Sequence, residues 1–155
     1  MATHDELPNA LTKSPSFQIE RVRRHTKEEV ERTLFKHDVS MRGFWVLTCV
    51  DNTALSQSQL SSLLAVDASD MVRLVDSLEN LGWVKRDRDP KDRRRQIVTA
   101  TKKGSKALGT LAEEVADAED RALDASSAKQ LKSLKKLSKA ILQAVSYTHL
   151  RAHET

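Results

Sequence analysis

Between residues 85 and 95 the chain reads KRDRDPKDRRR, with seven basic residues (Lys85, Arg86, Arg88, Lys91, Arg93, Arg94, Arg95) against three acidic ones (Asp87, Asp89, Asp92). Its local net charge of +4 equals the formal net charge of the whole 155-residue chain. Guanidinium groups at this density pair with the oxygens of a polyanion, bidentately where geometry allows. A carboxylate beside an arginine, as Asp92 stands beside Arg93 and Arg94, holds the cation in one rotamer and reduces the entropy lost on binding. Few of these charges can be buried, so the segment stays in solvent or meets an anionic partner.

The elements that must present this segment are legible around it. Trp83 to Arg86 and Gln96 to Thr99 are short β-prone runs, and Asp89-Pro90-Lys91-Asp92 between them forms a turn, so the segment is a basic hairpin. Upstream lie two capping signatures. Ser56-Gln57-Ser58-Gln59 fits a capping box and opens a short helix with Leu60, Leu63 and Leu64 inward. Asp67-Ala68-Ser69-Asp70 caps a longer helix with Met71, Leu74, Val75, Leu78 and Leu81 inward, stopped by Gly82. About three residues, 65–67, join the two helices, which is the sequence form of a helix-turn-helix. Ser69, Asp70, Val72, Arg73, Asp76 and Asn80 face outward on the second helix, which is acidic overall.

The remaining chain reads as helix. Residues 1–15 form a loose, flexible arm. Ile19, Val22, Thr26, Val30 and Leu34 make one sparse helical stripe, and Ser40 caps a helix burying Phe44, Leu47 and Val50. Thr101-Lys102-Lys103-Gly104 begins a long helix with Leu108, Leu111, Val115 and Ala118 on one side. Asp124 is expected to cap a last helix carrying Leu131, Leu134, Leu137, Ile141, Leu142 and Val145. Lysines 129, 132, 135, 136 and 139 fall mostly off that stripe and read as a solubilising face. The expected organisation is a helical dimerisation lobe from 16–39 and 104–145, around a winged helix-turn-helix region at 40–103. The closing SYTHLRAHET, 146–155, resembles translated sequencing-adapter sequence and is expected to be non-native or disordered.

With 39% hydrophobic, 4% aromatic and 31% charged residues, the composition favours helices with wide polar faces over a sandwich or barrel. The fold class is therefore mainly α with a small β-hairpin wing. A single cysteine excludes an internal disulfide and any Cys-rich zinc site. His25 and His37 stand about 120° apart around one helix and do not converge on a metal, so no metal or cofactor is expected. The N-terminal residues lack the regions of a signal peptide, and the apolar stretch Phe44 to Val50 is too short to span a bilayer, so a cytoplasmic location without membrane partners is expected. No phosphate loop, His-Glu-x-x-His or nucleophile elbow is present, which argues against an enzyme.

Helix-turn-helix, basic hairpin, then T-x-x-G opening a long helix resembles the layout of the MarR family, the multiple-antibiotic-resistance-type winged-helix transcription regulators. The likeness runs from about residue 55 to 111 and rests on Asp89-Pro90-Lys91-Asp92-Arg93-Arg94, Val98 and Thr101-x-x-Gly104. It implies a homodimer held by the first and last two helices, bound to double-stranded DNA at a pseudo-palindromic operator. Each recognition helix then enters a major groove and each wing a flanking minor groove. By resemblance Arg94 is the wing-tip arginine and Asp92 its orienting partner. Gln57 and Ser58 touch phosphates, and Ser69 and Arg73 lie in the major groove. Arg88, Lys91, Arg93 and Arg95 complete the expected DNA-binding set. Asp70 and Val72 depart from the small hydroxyl residues usual there, which bears on base preference. Many members release DNA when a small, often aromatic molecule enters a crevice, and others on cysteine oxidation, so Trp45 and Cys49 are candidates to line that crevice.

The competing reading is a winged helix used for protein contact, with the acidic second helix as the docking face. Steep salt dependence of retention on heparin or DNA favours nucleic acid, and salt-insensitive capture of a protein favours the rival.

Overall fold

The structure, a computed structural model, describes residues 6–154, with side chains through residue 145. By contacts the chain divides into two units, one ending at Glu119 and one beginning at Asp120.

In the first unit, α1 (Asn9–Thr12) is a single helical turn within what was expected to be an irregular arm. Pro8 supplies a preset φ of −60° at its N-cap, and its carbonyl accepts from the Leu11 and Thr12 N–H groups at 3.0 and 3.2 Å. Residues 1–5 of the expected arm lie outside the described residues. Next come α2 (Pro15–Leu34), a 3₁₀ turn (Phe35–His37) and α3 (Met41–Val50). Only the C-terminal end of α2 is buried, at Val30, Thr33 and Leu34, while Ile19 and Val22 on the same stripe remain exposed. Val30 and Leu34 join Val46, Leu47 and Val50 of α3 in one core, so the C-terminal end of α2 packs with the winged region. His37 lies in the 3₁₀ turn and not on one α-helix with His25 as expected, and it pairs with Glu114 at 2.5 Å.

The helix-turn-helix is α4 (Gln57–Leu64) and α5 (Ala68–Asn80). Ser56 Oγ accepts from Gln59 N–H at 3.0 Å while the Gln59 side-chain oxygen accepts from Ser56 N–H at 2.8 Å, the reciprocal box that the spacing predicts. Ala65 ends α4 in the left-handed region at φ +53°, and Val66 is buried beneath the turn. Met71, Val75 and Leu78 of α5 are buried and Leu74 and Leu81 half-buried, as their periodicity predicts. Leu63, expected inward, is 64% exposed, because the inner side of this short helix is filled by Leu60 with Leu64 beside it.

The wing is β2 (Val84–Asp89) and β3 (Asp92–Ala100), and a third strand, β1 (Leu55–Ser56), pairs with the other edge of β3 to give the order β1-β3-β2. Val98 of β3 sits opposite Leu55 and is fully buried. Gly82, at φ +77°, ends α5 and turns the chain into β2. Then α6 (Lys102–Ala122) starts hard against that junction. Thr101 Oγ1 caps it, accepting from Gly104 N–H at 3.0 Å and donating to the Gly82 carbonyl at 2.6 Å. Leu111, Val115 and Ala118 complete the core.

In the second unit, α7 (Ala128–Glu154) is not capped by Asp124. Ser127 and Gln130 form the box instead, with Ser127 Oγ accepting from Gln130 N–H at 3.2 Å and Gln130 Oε1 accepting from Ser127 N–H at 2.8 Å. Asp124 belongs to the turn before it, its N–H donating to the Arg121 carbonyl. Leu134, Leu137, Ile141, Leu142 and Val145 are exposed along α7. The side chains of 146–155, the expected non-native or disordered tail, lie outside the described residues. Among the described residues no helix is long and apolar enough to cross a membrane, and no cluster of three metal-ligating groups occurs.

Candidate nucleic-acid interface

The wing is regular at its base and irregular at its tip. Its ladder runs from Val84 opposite Ala100 to Arg88 opposite Gln96, and then shifts to Asp89 opposite Asp92. The shift leaves Arg93, Arg94 and Arg95 as extra residues on β3, and a bulge of this kind raises local twist and re-aims side chains off the sheet. Asp89 Oδ1 accepts from Lys91 N–H at 2.9 Å to tie the turn. Arg88 Nη1 donates to the Arg93 carbonyl at 2.9 Å, and Arg95 lies 3.9 Å from Asp89. Asp92 Oδ1 accepts from both the backbone N–H and Nε of Arg94, at 3.1 and 3.2 Å. The Arg94 side chain is nevertheless 92% exposed. The tip therefore offers one cation oriented by a carboxylate and open to solvent. Lys91 and Arg93 are exposed beside it.

On α5 the apparent acidity is cancelled locally. Asp67 Oδ1 accepts from Asp70 N–H and the Ser69 hydroxyl, both at 2.9 Å. These bonds, the Asp70 amide foremost, hold its carboxyl below the usual carboxylate range. Ser69, expected in the major groove, thus commits its proton to the cap. Asp70 sits between Arg42 of α3 at 3.5 Å and Arg73 at 3.7 Å, and Asp76 and Glu79 are both held by Arg86. Arg73 remains 80% exposed.

Arg86 is the residue that sequence reasoning passed over. It is only 20% exposed. Nη2 donates to Asp76 Oδ1 at 2.5 Å and Glu79 Oε1 at 3.1 Å, and Nη1 donates to Gln57 Oε1 at 3.2 Å. Gln57, expected to touch phosphate, is accordingly tied inward. Glu79, and behind it Asp76, raises the Arg86 pKa, and Arg86 lowers that of Glu79. The lowered Glu79 and Asp67 carboxyls contribute stability that is complete above the ordinary carboxylate pKa and is lost as pH falls through the lowered one. A signal was present: strand alternation puts Arg86 on the face of buried Val84, and Asp76 and Glu79 are three residues apart on a helix.

Ser58 lines a cleft of about 340 Å³ between α4, α5 and β3, together with Ser61, Ser62, Val72, Arg94 and Arg95. Hydroxyls and guanidiniums around a notch suit a phosphate backbone. A second cleft, of about 430 Å³, is walled by Phe35, Val39, Leu74, Leu78 and Leu81, with Glu31 and Asp38 also in its lining. Trp45 and Cys49 do not line it. Trp45 is partly exposed, and burial pushes the Cys49 thiol up from its ordinary pKa, which lowers its thiolate fraction at neutral pH. Cys49→Ser is therefore expected to respond to a peroxide titration as the unaltered chain does, monitored by DNA binding. A peroxide response confined to the unaltered chain would restore the redox reading.

A capped helix pair, an antiparallel wing and a third strand closing the sheet define a winged helix-turn-helix protein. Residues 37–95 match the sequence model of the MarR family. A putative transcriptional regulatory protein for the hcr operon of Thauera aromatica is 40% identical over 65 residues, which is 42% of this chain and 39% of that protein. Among solved structures, a MarR-family transcriptional regulator from Rhodococcus sp. RHA1 superposes with a TM-score of 0.79 at 25% identity, covering 86% of this chain and 96% of its own. CouR from Rhodococcus jostii RHA1 bound to p-coumaroyl-CoA gives 0.72 at 26% identity, covering 86% and 95%. A mutant MarR from E. coli complexed with operator DNA gives 0.71 at 24%, covering 81% and 91%.

Proposed function

We propose that this chain is a homodimeric, sequence-specific DNA-binding transcription regulator, a cytoplasmic repressor released by a small molecule, and not an enzyme. The observation that carries the reading is the pairing of two exposed guanidiniums on different elements, Arg73 on α5 and Arg94 at the wing tip. A helix fits a major groove, and an arginine on a thin loop fits a narrow minor groove, where the negative potential is strongest. The relative solved with operator DNA shares the fold that would present them so. Internal pairing of the α5 carboxylates removes the feature that favoured a protein-docking role for that helix.

Homodimerisation is supported by the unpartnered apolar residues of α7, Leu137, Ile141 and Leu142 among them, and those of α2, Ile19 and Val22. The cleft walled by Phe35, Leu74 and Leu78 is the candidate effector site. With Glu31 and Asp38 in its lining and no lysine or arginine among the described lining residues, it suits a neutral or cationic aromatic molecule better than an anionic thioester of the kind CouR holds.

Selection of bound fragments from random duplex DNA with the purified full chain tests the reading. A pseudo-palindrome with half-site centres about 10 base pairs apart is expected. Recovery of fragments without a shared motif would refute it. Arg73→Ala is expected to cost about 1–3 kcal/mol in binding to the recovered motif. The loss should be concentrated at one base pair, and a uniform loss over all sequences would make Arg73 a phosphate contact.

A further inference from the structure

We infer that Arg86 is the positioning residue of this DNA-binding surface: a strut that joins the wing to both helices of the helix-turn-helix without itself touching DNA. The inference rests on the DNA-binding reading above and adds to it how the two contacting elements are held in register. Arg86 lies on β2, eight residues before the wing-tip Arg94. Its guanidinium bonds Gln57 at the start of α4 and Asp76 and Glu79 on α5. With three side-chain acceptors engaged and 20% of its surface exposed, it has little left to offer a phosphate. Among the described residues, the side-chain bonds of the hairpin beyond it stay within it: Lys91 to Asp89, Arg88 to Arg93, Arg94 to Asp92.

A wing hinged at its base can sample many angles, and every angle lost on binding is an entropic cost to affinity. The planar fork of an arginine, fixed at both nitrogens to two helices, removes that freedom before DNA arrives. The carboxylates are equal parts of the device. Asp76 and Glu79 are acidic groups on a DNA-facing helix, yet here they act on the wing by anchoring its strut.

Two variants of the full chain test this, Arg86→Gln and the double substitution Asp76→Asn with Glu79→Gln. The second leaves the cation in place and removes its anchors. The probes are the duplex recovered by selection and a shuffled duplex of the same composition. Both variants are expected to bind the selected duplex about tenfold more weakly and the shuffled one within about twofold, with an unchanged slope of affinity against salt. Arg86→Lys is expected to recover part of the loss. In the DNA-free protein, amide hydrogen exchange across the wing, 85–95, should quicken in both variants while that of Val75 and Leu78 holds.

Three results would overturn the proposal. One is a salt slope reduced by about one per subunit in Arg86→Gln, the mark of a lost phosphate contact. Another is tighter DNA binding by the carboxylate variant. The third is wing exchange that does not change. The exchange measurement needs no DNA, so failure of the selection experiment would count against the DNA-binding reading and leave the strut tested separately.

Discussion

Arg94→Ala is expected to weaken binding to the selected duplex by about ten- to hundredfold at moderate salt, with no change in melting temperature. The second half of that expectation follows from exposure: a side chain 92% in solvent, whose one bond among the described residues is to Asp92 two residues away, contributes little to the stability of the fold. The first half follows from electrostatics in a confined groove. A guanidinium entering a narrow minor groove meets an enhanced negative potential and displaces condensed counterions, so its removal also lowers the salt slope by about one per subunit. Asp92→Ala should give a smaller loss and an unchanged slope, because it frees the Arg94 rotamer and leaves its charge. Equal affinity of Arg94→Ala and the unaltered chain at about 150 mM salt would remove the wing from the interface.

Gly104→Ala carries the largest effect expected on stability. A Cβ at this position would lie 2.0 Å from the carbonyl oxygen of Trp83, which is backbone and cannot swing aside. That same carbonyl accepts from Thr101 N–H at 2.9 Å, so it cannot retreat without losing the bond that docks α6 onto the end of α5 and the start of β2. The start of α6 must shift outward, pulling on Leu111 and Val115, and the cost is about 3 kcal/mol, or roughly 10 °C in melting temperature. Gly109 in the same helix provides the control. Nothing lies within 4 Å of a Cβ there, so Gly109→Ala should stabilise by about 0.5–1 kcal/mol through helix propensity alone. Denaturation of the two variants is expected to shift in opposite directions. Stabilisation in both would mean that the contact with Trp83 is not tight.

The chain announces its helix starts through contacts that close within three or four residues. Ser40, Ser56, Asp67 and Thr101 each accept from an amide three positions on, and such pairs are visible in a linear sequence. Gly82 and the wing turn are legible for the same reason, since a positive φ or an Asp-Pro step is a property of one or two residues. Asp124 shows the limit of this reasoning, because an acidic residue before a helical stripe looks like a cap whether or not Ser127 closer by takes the role.

What only the tertiary structure decided are pairings between groups far apart in the chain. The two-residue β1 carries too little pattern to be a strand until Val98 lies opposite it. Arg86 looked like one more wing cation until folding set it 29 residues from Gln57 in sequence and 3.2 Å away in space. Likewise the acidic face of α5 looked like a protein-docking face until Arg42 and Arg86 arrived from other elements, and the second cleft is walled by Phe35 and Leu74, residues far apart in the chain. The physical reason is common to all of these. Local conformational preference acts over one turn of helix or one turn of chain, whereas a charge in a folded protein is assigned its partner by the packing of elements that share no sequence window.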